Sequence, residues 1–241
     1  GGGGRKKNLF EFREFTIHQE HCAMKVGTDG VLLAGFGALH EKNQAETFAK
    51  LWNGIPFCIA EHEPPIVTET EPDRILDIGC GSGIISIFLA QRYANALVDA
   101  VDIDETAIKQ TEINVKLLPE PWRQRISIFH TPIQAFRPET KYPLIVCASP
   151  YFKTSITKDS FVQAMADNRR VARHLHDLSL SDLLQVVGNL LEPQDGKFIT
   201  ILPVGDSAKE FEQLIQSSDT CLSIDTIIRV HDNPTSKTIR N

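Results

Sequence analysis

Three glycines and two carboxylates are spaced as in sites that bind nucleotides. Gly79, Gly81 and Gly83 occupy alternate positions after Asp77, and Asp102 follows about 20 residues later. Glycine lets the backbone approach a ligand because no Cβ intervenes, and a helix start offers free N–H groups to an electron-rich ligand. In nucleotide-binding α/β units, an acid at this distance binds the ribose hydroxyls. The spacing therefore predicts a nucleotide cofactor site, although glycines alone also mark ordinary turns.

The flanking residues predict the elements that would position this site. Residues 75–78 form a short apolar run typical of a buried strand, residues 84–90 continue as an apolar helix, and residues 96–102 are a second strand that ends in acid. We therefore predict an α/β fold with a mostly parallel, doubly wound, Rossmann-like sheet in a single domain over residues 1–241. An antiparallel strand pair is expected at its C-terminal end. Further strands are expected over 125–130, 142–147, 196–203 and 222–230, and helices over 105–118, 178–191 and 208–217.

Composition restricts the class of protein. The net charge of −6 argues against nucleic-acid binding by overall field, although a local basic patch remains compatible with it. Five cysteines are scattered without a C-x-x-C pair, which indicates reduced thiols in a cytoplasmic protein and no zinc or disulfide framework. His18 and His21 have no metal-ligand company, so we predict no metal. No apolar run is long enough for a membrane span.

The glycine pattern distinguishes two classes of cofactor. Dinucleotide enzymes favour G-x-G-x-x-G, whereas this chain reads D-x-G-x-G-x-G from Asp77 to Gly83. It resembles motif I of the class I S-adenosylmethionine-dependent methyltransferases. The resemblance implies that S-adenosyl-L-methionine is the cofactor, with the loop around its methionine part and Asp102 on its ribose. The cofactor residues implied in this region are Asp77, Gly79, Gly81, Gly83, Asp102 and Ile103.

A second stretch carries a more specific resemblance. Thr28 and Asp29 begin a helix signal in Cys22-Ala-Met-Lys-Val-Gly-Thr-Asp-Gly30, and capping alone would explain those two residues. The whole stretch resembles the segment ahead of motif I in bacterial tRNA1(Val) (adenine(37)-N6)-methyltransferases, and the similarity extends past residue 200. It implies tRNA as partner, and a segment packed over the cofactor cleft with Lys25, Thr28 and Asp29 as further cofactor contacts.

The predicted catalytic segment departs from the pattern of enzymes that methylate the adenine amine. Those enzymes carry Asn-Pro-Pro-Tyr after this strand, and this chain has Ala148-Ser149-Pro150-Tyr151. The Asn oxygen and the next carbonyl accept the two amine N–H bonds, and the Tyr ring stacks on the flipped base. The resemblance therefore implies catalytic positions at Ala148, Ser149, Pro150 and Tyr151, with the Asn side chain missing.

Three explanations of this departure stay open: an inactivated variant, a homologue with weakened activity, or a divergent enzyme in which Ser149 supplies the acceptor. The preferred hypothesis is an intact cofactor site with weak or absent methyl transfer. Methylation of a protein glutamine is an alternative, because Asn-Pro-Pro-Tyr enzymes include that class. A cofactor- and RNA-binding homologue that no longer methylates is another.

The remaining expectations concern RNA contacts and chain boundaries. Gln134, or a backbone group, would replace the acid that many methyltransferases use for the adenine amino group. Residues 1–4 are expected to be a disordered tail, residues 41–73 a loop insertion, and the C-terminus either a short strand or a truncation. Solvated charges would equally explain the basic residues near the predicted acceptor site. The RNA-binding candidates are Arg5, Lys6, Lys7, Arg169, Arg170, Arg173 and His174.

Overall fold

A computed structural model of the protein describes residues 8–22, 25–37, 58–60, 71–148, 178–217, 221–225, 227 and 229–231. Its strands are β1 (Leu9–Glu11), β2 (Thr16–His18), β3 (Cys58–Ala60), β4 (Arg74–Ile78), β5 (Leu97–Asp102), β6 (Ile126–His130), β7 (Leu144–Cys147), β8 (Lys197–Thr200) and β9 (Arg229–His231). Its helices are α1 (Thr28–Gly37), α2 (Ile84–Arg92), α3 (Glu105–Lys116), α4 (Glu120–Arg123), α5 (Leu180–Leu190) and α6 (Asp206–Gln216).

The central sheet is parallel and has the strand order β6-β5-β4-β7-β8. The chain runs outward from β4 to β6, then returns to the other side of β4 to form β7 and β8. The order therefore reverses between β4 and β7, and crevices that bind ligands lie at the carboxyl ends of strands at such a reversal. This confirms the predicted α/β class and places the glycine loop and Ala148 beside the reversal.

The sheet is buried on both faces, which explains its apolar strands. Alternate residues of a strand point to opposite faces, so Ile75 and Leu76 belong to two different core clusters. One cluster joins the sheet to helices α1, α2 and α3, and the other joins it to α5 and the 3-10 turn Ile133–Ala135. Both faces must exclude water, and the strands therefore read as continuous hydrophobic runs.

Local capping signals fix two of the helices next to the site. Asp104 caps α3, where its carboxylate accepts hydrogen bonds from the Thr106 N–H and hydroxyl at 2.9 Å. Ser179 and Asp182 form a reciprocal capping box at the start of α5; the sequence favours Ser179 or Ser181 as the cap of this helix, and the structure selects Ser179.

The N-terminal aromatic residues form a hairpin, not a strand of the central sheet. Strands β1 and β2 pair antiparallel, with Phe10 opposite Ile17. The Phe12 and Phe15 rings stack with their centroids 4.6 Å apart, and Phe15 lies edge-on to Trp122 of α4. These aromatic contacts attach the hairpin to the outer side of the helical layer.

The less regular parts of the chain contribute a small second sheet. Residues Cys58–Ala60, which lie within the predicted loop insertion over 41–73, form strand β3, and this strand pairs antiparallel with β9 in a separate two-stranded sheet. The antiparallel C-terminal pair therefore exists, but outside the central sheet. The strand expected over 222–230 is shorter, since residues 221–225 adopt no regular structure and β9 covers only Arg229–His231. A strand needs a neighbour, and no described strand pairs with 221–225.

Within the described ranges, no helix is both long and apolar enough to cross a bilayer.

Candidate functional site

The glycine loop is a tight turn between β4 and α2 at the carboxyl edge of the sheet. Gly79, Gly81 and Gly83 all have positive φ, at 74°, 59° and 78°, a conformation that side chains disfavour. The N–H of Gly79 donates to the Val101 carbonyl oxygen at 2.8 Å, which attaches the loop to β5. A Cβ at Gly79 would meet nothing within 4 Å, so open space adjoins the backbone there. The loop thus presents bare backbone to an open crevice.

Asp77 is fully buried beneath the glycine loop. Its Oδ2 accepts hydrogen bonds from the Ser86 N–H at 3.0 Å and the Ser86 hydroxyl at 2.5 Å. Burial raises the pKa of Asp77 from 3.8 to about 7, and the two bonds from Ser86 oppose that rise. Its Oδ1 is buried without a hydrogen-bond partner among the described residues. One oxygen therefore holds the start of α2, and the other is an unsatisfied acceptor beneath the glycine loop.

Asp102 joins the two strand ends that border the crevice. Its Oδ2 accepts a hydrogen bond from the Gly81 N–H at 2.9 Å, and its Oδ1 accepts one from the Asp104 N–H at 2.9 Å. Burial raises the pKa of Asp102, while these backbone bonds lower it. The carboxylate has lone pairs left after these bonds, which suits hydroxyl groups of a ligand. Asp102 therefore fixes the loop and offers acceptors in the same place.

The N-terminal segment comprises the described residues 18–22 and 25–26, and Asn114 joins it to the glycine loop by bonding to both His18 and Ser82. Burial raises the pKa of the Cys22 thiol to about 12; the Lys25 charge opposes this rise and the Asp102 and Asp104 charges add to it. Charges act on a thiol in this way only over a limited distance, so Cys22 lies within the electrostatic field of Asp102 and Asp104. Lys25 Nζ donates a hydrogen bond to the Gln19 carbonyl oxygen.

Helix α1 begins at Thr28, as the sequence predicts for Thr28-Asp29-Gly30. A Cβ at Gly30 would lie 3.9 Å from Cγ2 of Ile84, the first residue of α2. Thr28 and Asp29 therefore lie near the helix that follows the glycine loop. Their contacts with a cofactor remain a prediction.

Gln134, the predicted adenine contact, lies just after β6, and Ile103, another predicted cofactor residue, directly follows β5. Gln134 is half-buried in the 3-10 turn after β6, and its carbonyl oxygen accepts a hydrogen bond from Arg137. The Ile103 carbonyl oxygen lies 3.1 Å from Nε2 of His130. The register of β5 and β6 places His130 opposite Asp102. Sequence reasoning did not identify His130 as a residue near the site.

Ala148 directly follows β7 at the same edge of the sheet, and it packs against the core. The neighbouring Thr200 hydroxyl donates a hydrogen bond to the Cys147 carbonyl oxygen at 2.9 Å. The other predicted catalytic and RNA-binding residues lie outside the described part of the chain. They are Ser149, Pro150, Tyr151, Arg5, Lys6, Lys7, Arg169, Arg170, Arg173 and His174.

Three polar residues of α3 also belong to the site, and sequence reasoning missed them. Gln110, Thr111 and Asn114 are fully buried and bond to backbone atoms of the glycine loop and the N-terminal segment. Their signal in the sequence was polar side chains at helical spacing on a face that otherwise holds Ala107, Ile108 and Val115.

The arrangement fits a nucleoside with a charged amino-acid tail. An open glycine backbone, an unpartnered carboxylate oxygen at Asp77 and acceptors at Asp102 adjoin the same crevice. Within the described ranges, no group of three or more His, Cys, Asp or Glu residues could hold a metal ion.

Comparisons with known proteins agree with this geometry. The methyltransferase small domain family matches residues 65–179. The tRNA1(Val) (adenine(37)-N6)-methyltransferase of Pedobacter heparinus is 33% identical over 97% of this chain and 82% of its own length. The enzyme of the same name from Dyadobacter fermentans is 31% identical over 85% of this chain and 69% of its own length. The one from Tolumonas auensis is 34% identical over 86% of this chain and 69% of its own length.

A glycopeptide N-methyltransferase solved with S-adenosylmethionine shares 15% identity and a TM-score of 0.39, over 70% of this chain and 57% of its own. That score is too low to support a functional inference.

Proposed function

The chain belongs to the tRNA1(Val) (adenine(37)-N6)-methyltransferase family, and on that premise we propose that it methylates N6 of adenine 37 in tRNA1(Val). Its cofactor is S-adenosylmethionine, which supplies an electrophilic methyl group when bound. The observation that carries the proposal is the placement of the glycine loop, Asp102 and Ala148 along one edge of the sheet, on both sides of the point where the strand order reverses.

The cofactor side of the crevice would be held by this chain as follows. The bare backbone at Gly79 permits close approach, Asp102 accepts from the ribose hydroxyls, and the free oxygen of Asp77 accepts from the ammonium group. These acceptors are attached to the ends of β4 and β5, so they are in place before the cofactor binds. Preorganised groups lose little entropy on binding.

The acceptor side depends on orientation and not on a strong base. The adenine amine is a weak nucleophile because its lone pair is delocalised into the ring. Two acceptors that hold its N–H bonds would direct the lone pair toward the methyl group, and such positioning supplies most of the rate. Ala148 offers no side-chain acceptor, so the proposal assigns one acceptor to the Ser149 carbonyl and the stacking surface to Tyr151. We therefore expect slow methyl transfer.

The test is methylation of tRNA from a strain that lacks the matching enzyme. The protein is incubated with radiolabelled S-adenosylmethionine, and the labelled nucleoside is identified. We expect N6-methyladenosine at position 37, formed about tenfold to a hundredfold faster by Ala148→Asn, which restores the missing acceptor. Ala94→Asn, at an exposed turn before β5, is the matched control and should change nothing. An Ala148→Asn variant no faster than the original chain would contradict the assigned role of position 148.

A second candidate is a protein that binds cofactor and RNA without methylating. The absence of a polar side chain at Ala148 favours it. Calorimetric binding of S-adenosylhomocysteine and of tRNA, with no labelled nucleoside from either the original chain or Ala148→Asn, would support this candidate over the enzyme.

A further inference from the structure

Helix α3 buries three uncharged polar side chains against the cofactor loop. Gln110, Thr111 and Asn114 are spaced so that all three lie on one side of the helix, and each is completely excluded from water. Burying an amide or a hydroxyl is unfavourable unless it is hydrogen-bonded. The partners of these three side chains therefore show what the helix holds in place.

Asn114 bonds to two separate parts of the chain. Its Oδ1 accepts a hydrogen bond from the His18 N–H at 2.8 Å, and its Nδ2 donates to the His18 carbonyl oxygen at 2.8 Å. The same Nδ2 donates to the Ser82 carbonyl oxygen, also at 2.8 Å. One side-chain amide thus joins the end of strand β2 to the glycine loop.

Thr111 and Gln110 lie beside Asn114 on helix α3. Among the described contacts, each of them bonds to either the glycine loop or the N-terminal segment, but not to both. Thr111 donates to the Gly81 carbonyl oxygen at 2.9 Å and so holds the glycine loop. Gln110 accepts from the His21 N–H at 2.9 Å and so holds the N-terminal segment. Helix α3 therefore contacts the glycine loop through Thr111 and the N-terminal segment through Gln110, and Asn114 joins the two parts.

The segment that Asn114 holds leads directly to the cofactor crevice. Gln19 follows His18, and its side chain accepts a hydrogen bond from the Val26 N–H at 2.7 Å. Lys25 donates a hydrogen bond to the Gln19 carbonyl oxygen, so Lys25 and Val26 both bond back to Gln19. Between them in the sequence, burial raises the pKa of the Cys22 thiol, and the Asp102 charge adds to that rise.

We propose that Asn114 is a positioning residue that couples the glycine loop to the N-terminal segment, so that cofactor on the loop stabilises the segment beside it. The Ser82 carbonyl belongs to the loop that receives the cofactor, and the His18 backbone leads into the segment. A ligand that rigidifies the loop would therefore rigidify the segment through one amide. The inference depends on the S-adenosylmethionine site and not on the tRNA substrate.

The test is amide hydrogen exchange at Gln19, measured by NMR with and without saturating S-adenosylhomocysteine. The Gln19 N–H donates to the Asn8 carbonyl oxygen at 2.9 Å, so none of the substituted side chains is its partner. We expect the ligand to slow exchange of this amide at least about fivefold in the original chain, a usual size for coupling between sites. We call the exchange rate without ligand divided by the rate with ligand the exchange ratio. In Asn114→Ala we expect this exchange ratio to fall to about one.

Two matched variants separate coupling from simple loosening. Thr111→Val removes the bond to Gly81 and should weaken ligand affinity, but it should keep the full exchange ratio at saturation. Gln110→Met removes the bond to His21 and should speed exchange with and without ligand, again with the ratio kept.

Asn114→Leu retains the approximate size of the side chain while removing its donors and its acceptor, and it places no charge at this buried position. Its exchange ratio at Gln19 should fall to about one, as in Asn114→Ala. This variant replaces Asn114→Ala in the test if the alanine variant does not fold.

A wild-type ratio in both Asn114 variants at saturation would overturn the proposal, as would a ligand that binds the original chain without slowing exchange at Gln19. No tRNA is present, so failure of the substrate assignment would leave this result unchanged.

Discussion

At the scale of single residues, Asp77 shows how one side chain combines a structural and a binding role. Its acidic type and its position before the glycines were visible in the sequence, and they predicted a ligand contact. The structure adds that Ser86 occupies one oxygen and that the other oxygen is buried without a described partner. The bond to Ser86 was not predictable, because it depends on how α2 is seated against β4.

Asp77 should give the stability of the protein a particular pH dependence. Its pKa is 3.8 as an ordinary carboxyl group and about 7 in the fold. Between these values the folded state keeps a proton that the unfolded state has lost, so the free energy of unfolding falls as pH rises. The slope from this group is about 1.4 kcal/mol per pH unit. Asp77→Asn should remove it, which urea denaturation from pH 4 to pH 8 would measure. Parallel profiles for the two proteins would contradict the assigned pKa.

At the scale of elements, the glycine loop depends on helix α3 beneath it. Gly83 has a φ of 78°, and a Cβ there would lie 2.8 Å from Cγ2 of Thr111. Gly79 has a similar φ of 74° but faces open space. The two glycines are therefore needed for different reasons. Glycine at position 83 allows Thr111 of α3 to pack against the loop, and glycine at position 79 allows a ligand to approach the backbone.

Alanine at each glycine should separate these reasons. Both substitutions should cost about 1–2 kcal/mol of folding free energy for the left-handed backbone. Gly83→Ala should cost about 1–3 kcal/mol more from the clash with Thr111, and Thr111→Ala should recover part of that extra cost. Gly79→Ala should instead weaken binding of S-adenosylhomocysteine more than Gly83→Ala does. Urea denaturation and calorimetry would check both effects, and equal stability of the two variants would rule out the clash.

The central elements were predictable because their signals are local. Apolar runs at β4 to β7, the glycines after β4 and the Ser179 cap each identify an element without knowledge of the rest of the chain. Strands β3 and β9 were not predictable in the same way. Each is only three residues long, and each depends on a partner far away in the sequence.

The buried amides illustrate a second limit. Asn114 and Gln110 are ordinary polar residues of a helix in sequence, and only the packed hairpin shows that they serve the site. Phe10, Phe12 and Phe15 alternate roughly as in a strand, but the turn between β1 and β2 carries no strong hairpin signal, so the pairing of the two strands was not predictable.

At the scale of the whole molecule, the two edges of the sheet have different tasks. The carboxyl edge carries the glycine loop, Asp102 and Ala148. Away from that edge, the buried Asp99 accepts hydrogen bonds from the Tyr142 hydroxyl at 2.6 Å and from Arg74 Nη2 at 2.8 Å. The Arg74 guanidinium also lies 5.6 Å from the centre of the Tyr142 ring. This network joins β5 to the first residue of β4 and to the chain entering β7, so it stabilises the arrangement that the site requires.

This division predicts that damage to the network lowers stability without changing the site. Tyr142→Phe leaves the buried Asp99 carboxylate one donor short, which should lower the free energy of unfolding by about 1–3 kcal/mol. Arg74→Gln removes the other donor, and the double variant should depart from additivity because both side chains bond to the same oxygen. Affinity for S-adenosylhomocysteine should stay constant in all three variants, as calorimetry below their unfolding transitions would show. A loss of affinity in Tyr142→Phe comparable to that of Gly79→Ala would mean that the two edges are not independent, and that the strands transmit strain between the network and the crevice.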